Sequence, residues 1–173
     1  MENIVKKIVL IALSFFVVTI VYLALEGNNM KEIQTEVDIA APPAKVWSIL
    51  TDISKWQEWS PVINKSTGTA TLGSKLDITM IGKTEGTDGP RYYPEITKLD
   101  EAKALEWKAT MMAGFLMTNG KVLELEATDA GTRLIHKETF SGMMVPMMWK
   151  QMKAGVPPIL NSMNKALKDL AEK

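Results

Sequence analysis

From Ile8 to Leu25 the chain carries neither charge nor proline, and only Ser14, Thr19 and Tyr22 interrupt its apolar run. Wound as a helix, this stretch spans about 27 Å, close to the thickness of a bilayer's hydrocarbon core. Lys6 and Lys7 precede it and Glu26 follows it, so the positive-inside bias keeps the N-terminus in the cytoplasm. The pattern therefore predicts a cytoplasmic N-terminus over 1–7, a single-pass membrane anchor over 8–25, a short polar linker over 26–31 containing Gly27-Asn28-Asn29, and an extracytoplasmic domain over 32–173. The alternative is a domain secreted after signal cleavage, although the exit Tyr22-Leu23-Ala24-Leu25-Glu26-Gly27 offers no clean small-x-small site.

Beyond the linker the period changes to two. Ile33, Thr35, Val37 and Ile39 alternate with Glu32, Gln34, Glu36 and Asp38, which predicts a strand with one buried and one wet, acidic face. Pro42-Pro43 ends it and opens a helix in which Val46, Trp47 and Leu50 share a face; a second helical turn follows around Ser54 to Glu58. A meander of six strands comes next, at about 62–66, 75–81, 92–99, 104–111, 117–127 and 132–140, separated by turn residues such as Gly68, Gly73, Gly82, Gly114 and Asp129-Ala130-Gly131. Leu76, Ile78 and Met80 share a face of one strand, and Leu105, Trp107, Ala109 and Met111 a face of another. The period then returns to 3.6. Ile159, Leu160, Met163, Ala166, Leu167 and Leu170 form an apolar stripe on a closing helix over Pro157–Lys173, with Asn161, Ser162, Asn164, Lys165, Lys168 and Asp169 on its polar face. Pro146 and Pro157-Pro158 predict a break that leaves a short helix ahead of the long one. The fold class is α+β: a curved seven-stranded antiparallel sheet around a long C-terminal helix, preceded by a transmembrane helix.

Composition narrows the chemistry. Hydrophobic residues make up 46% of the 173, enough for one domain with a substantial core. Lys+Arg and Asp+Glu are 20 each, and the absence of a basic patch excludes a nucleic-acid partner. There are no cysteines and one histidine, which argues against disulfides, thiolate catalysis and transition-metal sites; no metal or other cofactor is expected. Gly82-Lys83-Thr84 reads as a surface hairpin, since Asp77 stands where a phosphate loop needs its first glycine and no helix follows. Neither a GxSxG elbow nor a dinucleotide fingerprint occurs. Asn64-Lys65-Ser66 formally fits a glycosylation acceptor. Twelve methionines suit either gap-filling in a core or pliable contact with exchangeable apolar contents.

The order strand, two short helices, six-strand meander and long final helix resembles the helix-grip fold of the START-like, or SRPBCC, superfamily. The run Val37-Asp38-Ile39-Ala40-Ala41-Pro42-Pro43-Ala44-Lys45-Val46-Trp47-Ser48-Ile49-Leu50-Thr51-Asp52 is similar to that family's first strand and helix. Trp56-Gln57-Glu58-Trp59-Ser60-Pro61 is similar to the segment after it, and Asp129 to Gly142 to its last hairpin and strand. The resemblance implies a hydrophobic cavity between the concave sheet and the final helix. Its lining would come from Trp47, Trp59, Met80, Trp107, Met111, Leu123, Leu125, His136, Glu138, Phe140, Met144, Met148 and Met163.

Parity in the last strand carries independent information. Leu134 and Phe140 face inward as the large apolar members, and His136 and Glu138 go in with them, while Arg133, Lys137 and Thr139 point to water. An ionisable pair on an apolar face needs partners; Arg91, Tyr92 and Tyr93 are available, or the two satisfy each other. His136 and Glu138 are candidates either for the polar end of a ligand cavity or for an acid/base pair. Met143, Met144, Met147, Met148, Met152 and Trp149 form either a pliable gate at the cavity mouth or a seal on the core. Three functions follow. The first is membrane-anchored binding or transport of a hydrophobic small molecule or lipid; the second is a polyketide cyclase- or dehydratase-like enzyme using His136 and Glu138; the third is a non-catalytic interaction scaffold.

Overall fold

The structure, a computed structural model, describes residues 2–84, 86–111 and 113–173. Helix α1 (Glu2–Asn28) is followed by β1 (Lys31–Ile39), α2 (Pro43–Thr51), a 3₁₀ turn (Ile53–Lys55) and the single turn α3 (Trp56–Trp59). Seven more strands come next: β2 (Ile63–Thr67), β3 (Asp77–Ile81), β4 (Asp88–Tyr92), β5 (Glu95–Asp100), β6 (Ala104–Met111), β7 (Met117–Thr128) and β8 (Gly131–Ser141). Helix α4 (Val145–Ala171) closes the chain.

All pairings are antiparallel. One sheet has the order β1-β8-β7-β6-β5 and the other β2-β3-β4. Among the described residues there are eight strands in two sheets, not seven in one, because residues 88–91, expected as loop, form most of an added strand that pairs with β3. Pro94 lacks the N–H that a continuous strand over 92–99 would need, so the expected strand begins only at Glu95, and Glu95–Asp100 pairs with β6. The sheets stay joined at that corner: Pro94 accepts from the Leu76 amide at 2.8 Å, and Ile96 donates to Ser74 at 2.9 Å. The result is one curved antiparallel surface gripping α4.

The closing helix differs from expectation too. Rather than breaking at Pro157-Pro158, α4 runs unbroken for 27 residues, about 40 Å. The two prolines leave the carbonyls four residues earlier, on Lys153 and Ala154, without helical donors; both residues are exposed, so water can take those carbonyls. Its buried stripe contains Met152, Leu160, Met163, Leu167 and Ala171, but Asn164 belongs to the buried set and Ile159 is 40% exposed. Asn164 sits four residues after Leu160 and three before Leu167, on the same face, so the expected polar face is wrong at that position.

Two apolar clusters result. The larger joins the sheets, α2 and the C-terminal half of α4 around Trp56, Trp107, Leu123 and Leu134. The smaller packs Val145, Met152 and Leu160 of α4 on Ile33 and Phe140. Trp56 anchors the larger cluster, fully buried, with its indole N–H donating to Leu50 O at 3.1 Å. Helix α1 is long and apolar enough to cross a membrane; none of its most apolar stretch is buried, whereas Gly27 in its last turn is. It reaches Asn28, so only Asn29 and Met30 separate it from β1.

Candidate functional site

Strand register builds the site. Trp107 lies opposite Lys121, and Lys121 opposite Glu138; in the next row Leu123 faces His136, and His136 faces Thr35. All project from the concave face toward α4, where Asn164 meets them. Lys121 Nζ is 2.8 Å from His136 Nε2 and donates to Glu138 Oε1 at 2.8 Å, with the Trp107 ring centroid 5.9 Å away. Glu138 Oε2 accepts from Asn119 Nδ2 at 3.3 Å. On the other side of the imidazole, His136 Nδ1 is 2.7 Å from Asn164 Oδ1, Asn164 Nδ2 donates to Thr35 Oγ1 at 3.0 Å, and Thr35 donates to the His136 carbonyl at 3.5 Å.

The donors fix the proton pattern. An ammonium has no lone pair, so Nε2 must accept from Lys121 and Nδ1 must carry the hydrogen given to Asn164. His136 is thus neutral. Its pKa lies well below the ordinary imidazole value because burial disfavours the cation and the Lys121 charge repels it, against a smaller opposing effect of the Asn164 hydrogen bond. Burial, and secondarily the negative charge of Glu138, push the Tyr92 phenol up.

A cavity of about 20 Å³ adjoins the network, faced by Met80, Tyr92, Trp107, Lys121, Glu138 and Met163, among others. That volume is room for about one water molecule. Among the described residues, the buried indole nitrogens of Trp59 and Trp107 have no hydrogen-bond partner. No group of three or more His, Asp or Glu side chains among those residues could hold a metal.

Of the residues expected to line a ligand cavity, Met80, Trp107, Glu138 and Met163 border this water-sized space. Trp47 and Trp59 are partly buried against the larger cluster that contains Leu123 and Leu125; Phe140 and Met148 belong to the smaller one. Met144 caps α4, and Met111 lies beside a surface groove with Arg91 and Tyr93. His136 sits behind the cavity wall, holding Lys121. The partners anticipated for the His136–Glu138 pair differ as well. Arg91 forms an ion pair with Asp77 and Tyr93 is exposed, while Lys121, Asn119 and Asn164 take the roles. Lys121 was detectable, since it shares the parity of Leu123 and Leu125. Ser66 of the acceptor-like triplet is buried, and Asn64 donates to Asp88.

Residues 30–172 match the family described as polyketide cyclase/dehydrase and lipid transport. The chain belongs to that family. No curated protein matches it. Among solved structures, a Chromobacterium violaceum protein superposes with a TM-score of 0.67 at 14% identity, covering 82% of this chain and 98% of its own. The Zhui aromatase/cyclase from Streptomyces sp. R1128 gives 0.65 at 17% identity over 83% of this chain and 94% of that one. The di-domain aromatase/cyclase StfQ of the steffimycin biosynthetic pathway gives 0.66 at 13% identity over 83% of this chain; the match spans 51% of StfQ, about half. At these identities the likeness is one of fold, and it agrees with the helix-grip architecture of the family.

Proposed function

We propose that this family member binds an apolar small molecule or lipid between the sheet and α4, polar end inward against Lys121 and Glu138. In this reading α1 is a single-pass anchor, with Lys6 and Lys7 on the cytoplasmic side and the domain outside, holding the site beside the bilayer from which its ligand partitions. One observation carries the proposal. A small cavity is faced by a buried ammonium–carboxylate pair and by methionines, Met80 and Met163. A core built for stability alone gains little from a buried ion pair, which apolar side chains of similar volume often replace without loss. The resting cavity is water-sized, so the ligand must displace side chains, and unbranched methionines are the ones that repack most readily. The lipid transport named in the family description supports the same class of ligand. A cyclase-like reaction would have to draw on Lys121 and Glu138, because both ring nitrogens of His136 are engaged.

The test is native mass spectrometry on residues 31–173 without detergent, since both apolar clusters lie within residues 33–171. A co-purifying small-molecule mass is expected, or one acquired after exposure to membrane lipid extract, and it should be lost in Met163→Trp, whose ring fills the cavity, while circular dichroism stays unchanged. A bare protein mass under every condition, or an adduct indifferent to that substitution, overturns the proposal.

A further inference from the structure

The end of α1 is built into the domain. Gly27 O accepts from the Gly142 amide at 2.7 Å, and a Cβ on Gly27 would come within 2.5 Å of the Gly142 carbonyl carbon. From that corner the bonding continues: Met143 donates to Phe115 O at 3.0 Å and Met144 to Leu116 O at 3.1 Å. The last turn of α1, the β6–β7 turn and the β8–α4 corner therefore form one hydrogen-bonded piece, around a groove of about 250 Å³ lined by Ala24, Gly27, Phe115 and Met143, among others.

This end of the domain is unusually apolar for a surface. Phe115 is 67% exposed, Met147 69% and Met30 67%. Lysines lie beside it: Lys31 and Lys153 are 5.6 Å and 6.0 Å from the Trp149 ring centroid, and Lys150, next to Trp149 in the chain, is exposed. The apolar run of α1 ends at Leu25, so Gly27 lies about 3 Å further along the axis. The polar interface on each side of a bilayer's hydrocarbon core is roughly 5–7 Å thick. Whatever is bonded to Gly27 falls inside that layer.

We infer that this end of the domain is seated in the bilayer interface, with Phe115, Met30 and Met147 dipping toward the acyl chains and Lys31, Lys150 and Lys153 at anionic headgroups. The inference rests on the reading of α1 as a membrane span. It gives the methionine-rich start of α4 direct contact with lipid, and apolar side chains with lysines beside them are the combination that interfacial binding uses.

The chain has no cysteine, so single spin labels report without background. The full-length protein carrying Phe16→Cys, Phe115→Cys, Met147→Cys or Ala130→Cys is reconstituted into phosphatidylcholine/phosphatidylglycerol vesicles, and each label's collision with oxygen and with a water-soluble nickel chelate is measured. Position 16 reports the span, and position 130, in the exposed β7–β8 turn at the opposite end of the sheet, reports water. The expected result is nickel accessibility several-fold lower at 115 and 147 than at 130, with oxygen accessibility raised. Nickel accessibility at 115 and 147 equal to that at 130, with 16 shielded, overturns the interfacial seat and leaves the anchor standing. Position 16 open to nickel removes the anchor and the seat together. Shielding of 115 and 147 from both probes means a protein copy covers the face, and also overturns the seat.

Discussion

Lys121 is the side chain on which the polar interior turns. The residue is 5% exposed, and its ammonium meets His136 Nε2, Glu138 Oε1 and, at 5.9 Å from the centroid, the Trp107 ring. Removing one partner of a buried ion pair leaves the other charged and desolvated, so Lys121→Met should destabilise the fold by about 3–5 kcal/mol. Lys121→Met combined with Glu138→Leu should recover most of that loss, and urea unfolding of the two single variants and the double variant measures the coupling. His136 supplies a second expectation. The groups facing it are Lys121 from β7, Thr35 from β1 and Asn164 from α4, with Glu138 one residue beyond on its own face. Because the folded pKa lies below the unfolded value of about 6.5, its contribution is fully present above that pH and is lost as pH falls, when the unfolded chain binds a proton that the native state refuses. Between pH 7 and pH 5 the loss is up to about 2 kcal/mol. Urea midpoints at the two pH values should show that slope in the parent and a shallower one in His136→Gln; equal slopes would mean that His136 takes up a proton in the fold as readily as in the unfolded chain. Parity was enough to place His136 inward, and the same rule applied to β7 places Lys121. What parity cannot supply is that the two meet, because the β7–β8 register is set by the turn at Asp129-Ala130-Gly131 and by packing across the sheet.

At the scale of elements, strong local signals were legible and long-range ones were not. The alternation of Ile33, Thr35, Val37 and Ile39, the proline entry to α2 and the stripe on α4 each depend on neighbours within one or two turns, and each appears in the structure. The strand count depended on residues 88–91, where Gly89 and Pro90 read locally as loop but pairing with β3 makes a strand. The run of β-formers over 92–99 looks continuous by propensity, but without an N–H on Pro94 its strand begins only at Glu95. The prolines of α4 mislead in the other direction. Local rules end a helix there, yet Met152 on one side and Leu160 and Met163 on the other are all buried by the sheet, and that packing keeps one helix where propensity predicts two. Helix packing also turns Asn164 inward, since its amide answers both the imidazole and Thr35. The candidate site was legible as a face of the last strand and illegible as a network for the same reason: its members come from β1, β6, β7, β8 and α4, and local pattern does not say which of them meet.

For the molecule as a whole, the question is how rigidly α1 is joined to a domain that owns its entire core. The clusters draw nothing from α1, so the joint at Gly27 and Gly142 sets orientation without setting the stability of the core. Two glycine substitutions separate those roles. In Gly27→Ala the new methyl group meets the Gly142 backbone, which cannot yield like a flexible side chain, so α1 must shift and the Gly142 amide loses its acceptor. In Gly142→Ala the same joint breaks, but the residue also has φ +118°, a conformation unfavourable for alanine, and its methyl group would sit 2.4 Å from Leu116 O. Hydrogen exchange on the full-length protein should distinguish them. Gly27→Ala is expected to lose protection at Gly142 alone, with Leu116 to Met144 and the β7–β8 ladder unchanged and the urea midpoint shifted by less than about 0.5 kcal/mol equivalent. Gly142→Ala should lose protection at Gly142, Met143 and Met144 together and lower the midpoint, since the β6–β7 turn and the start of α4 are bonded through that corner. If Gly27→Ala instead weakens exchange protection throughout β7 and β8, α1 is part of the folding unit, and the site's geometry depends on it.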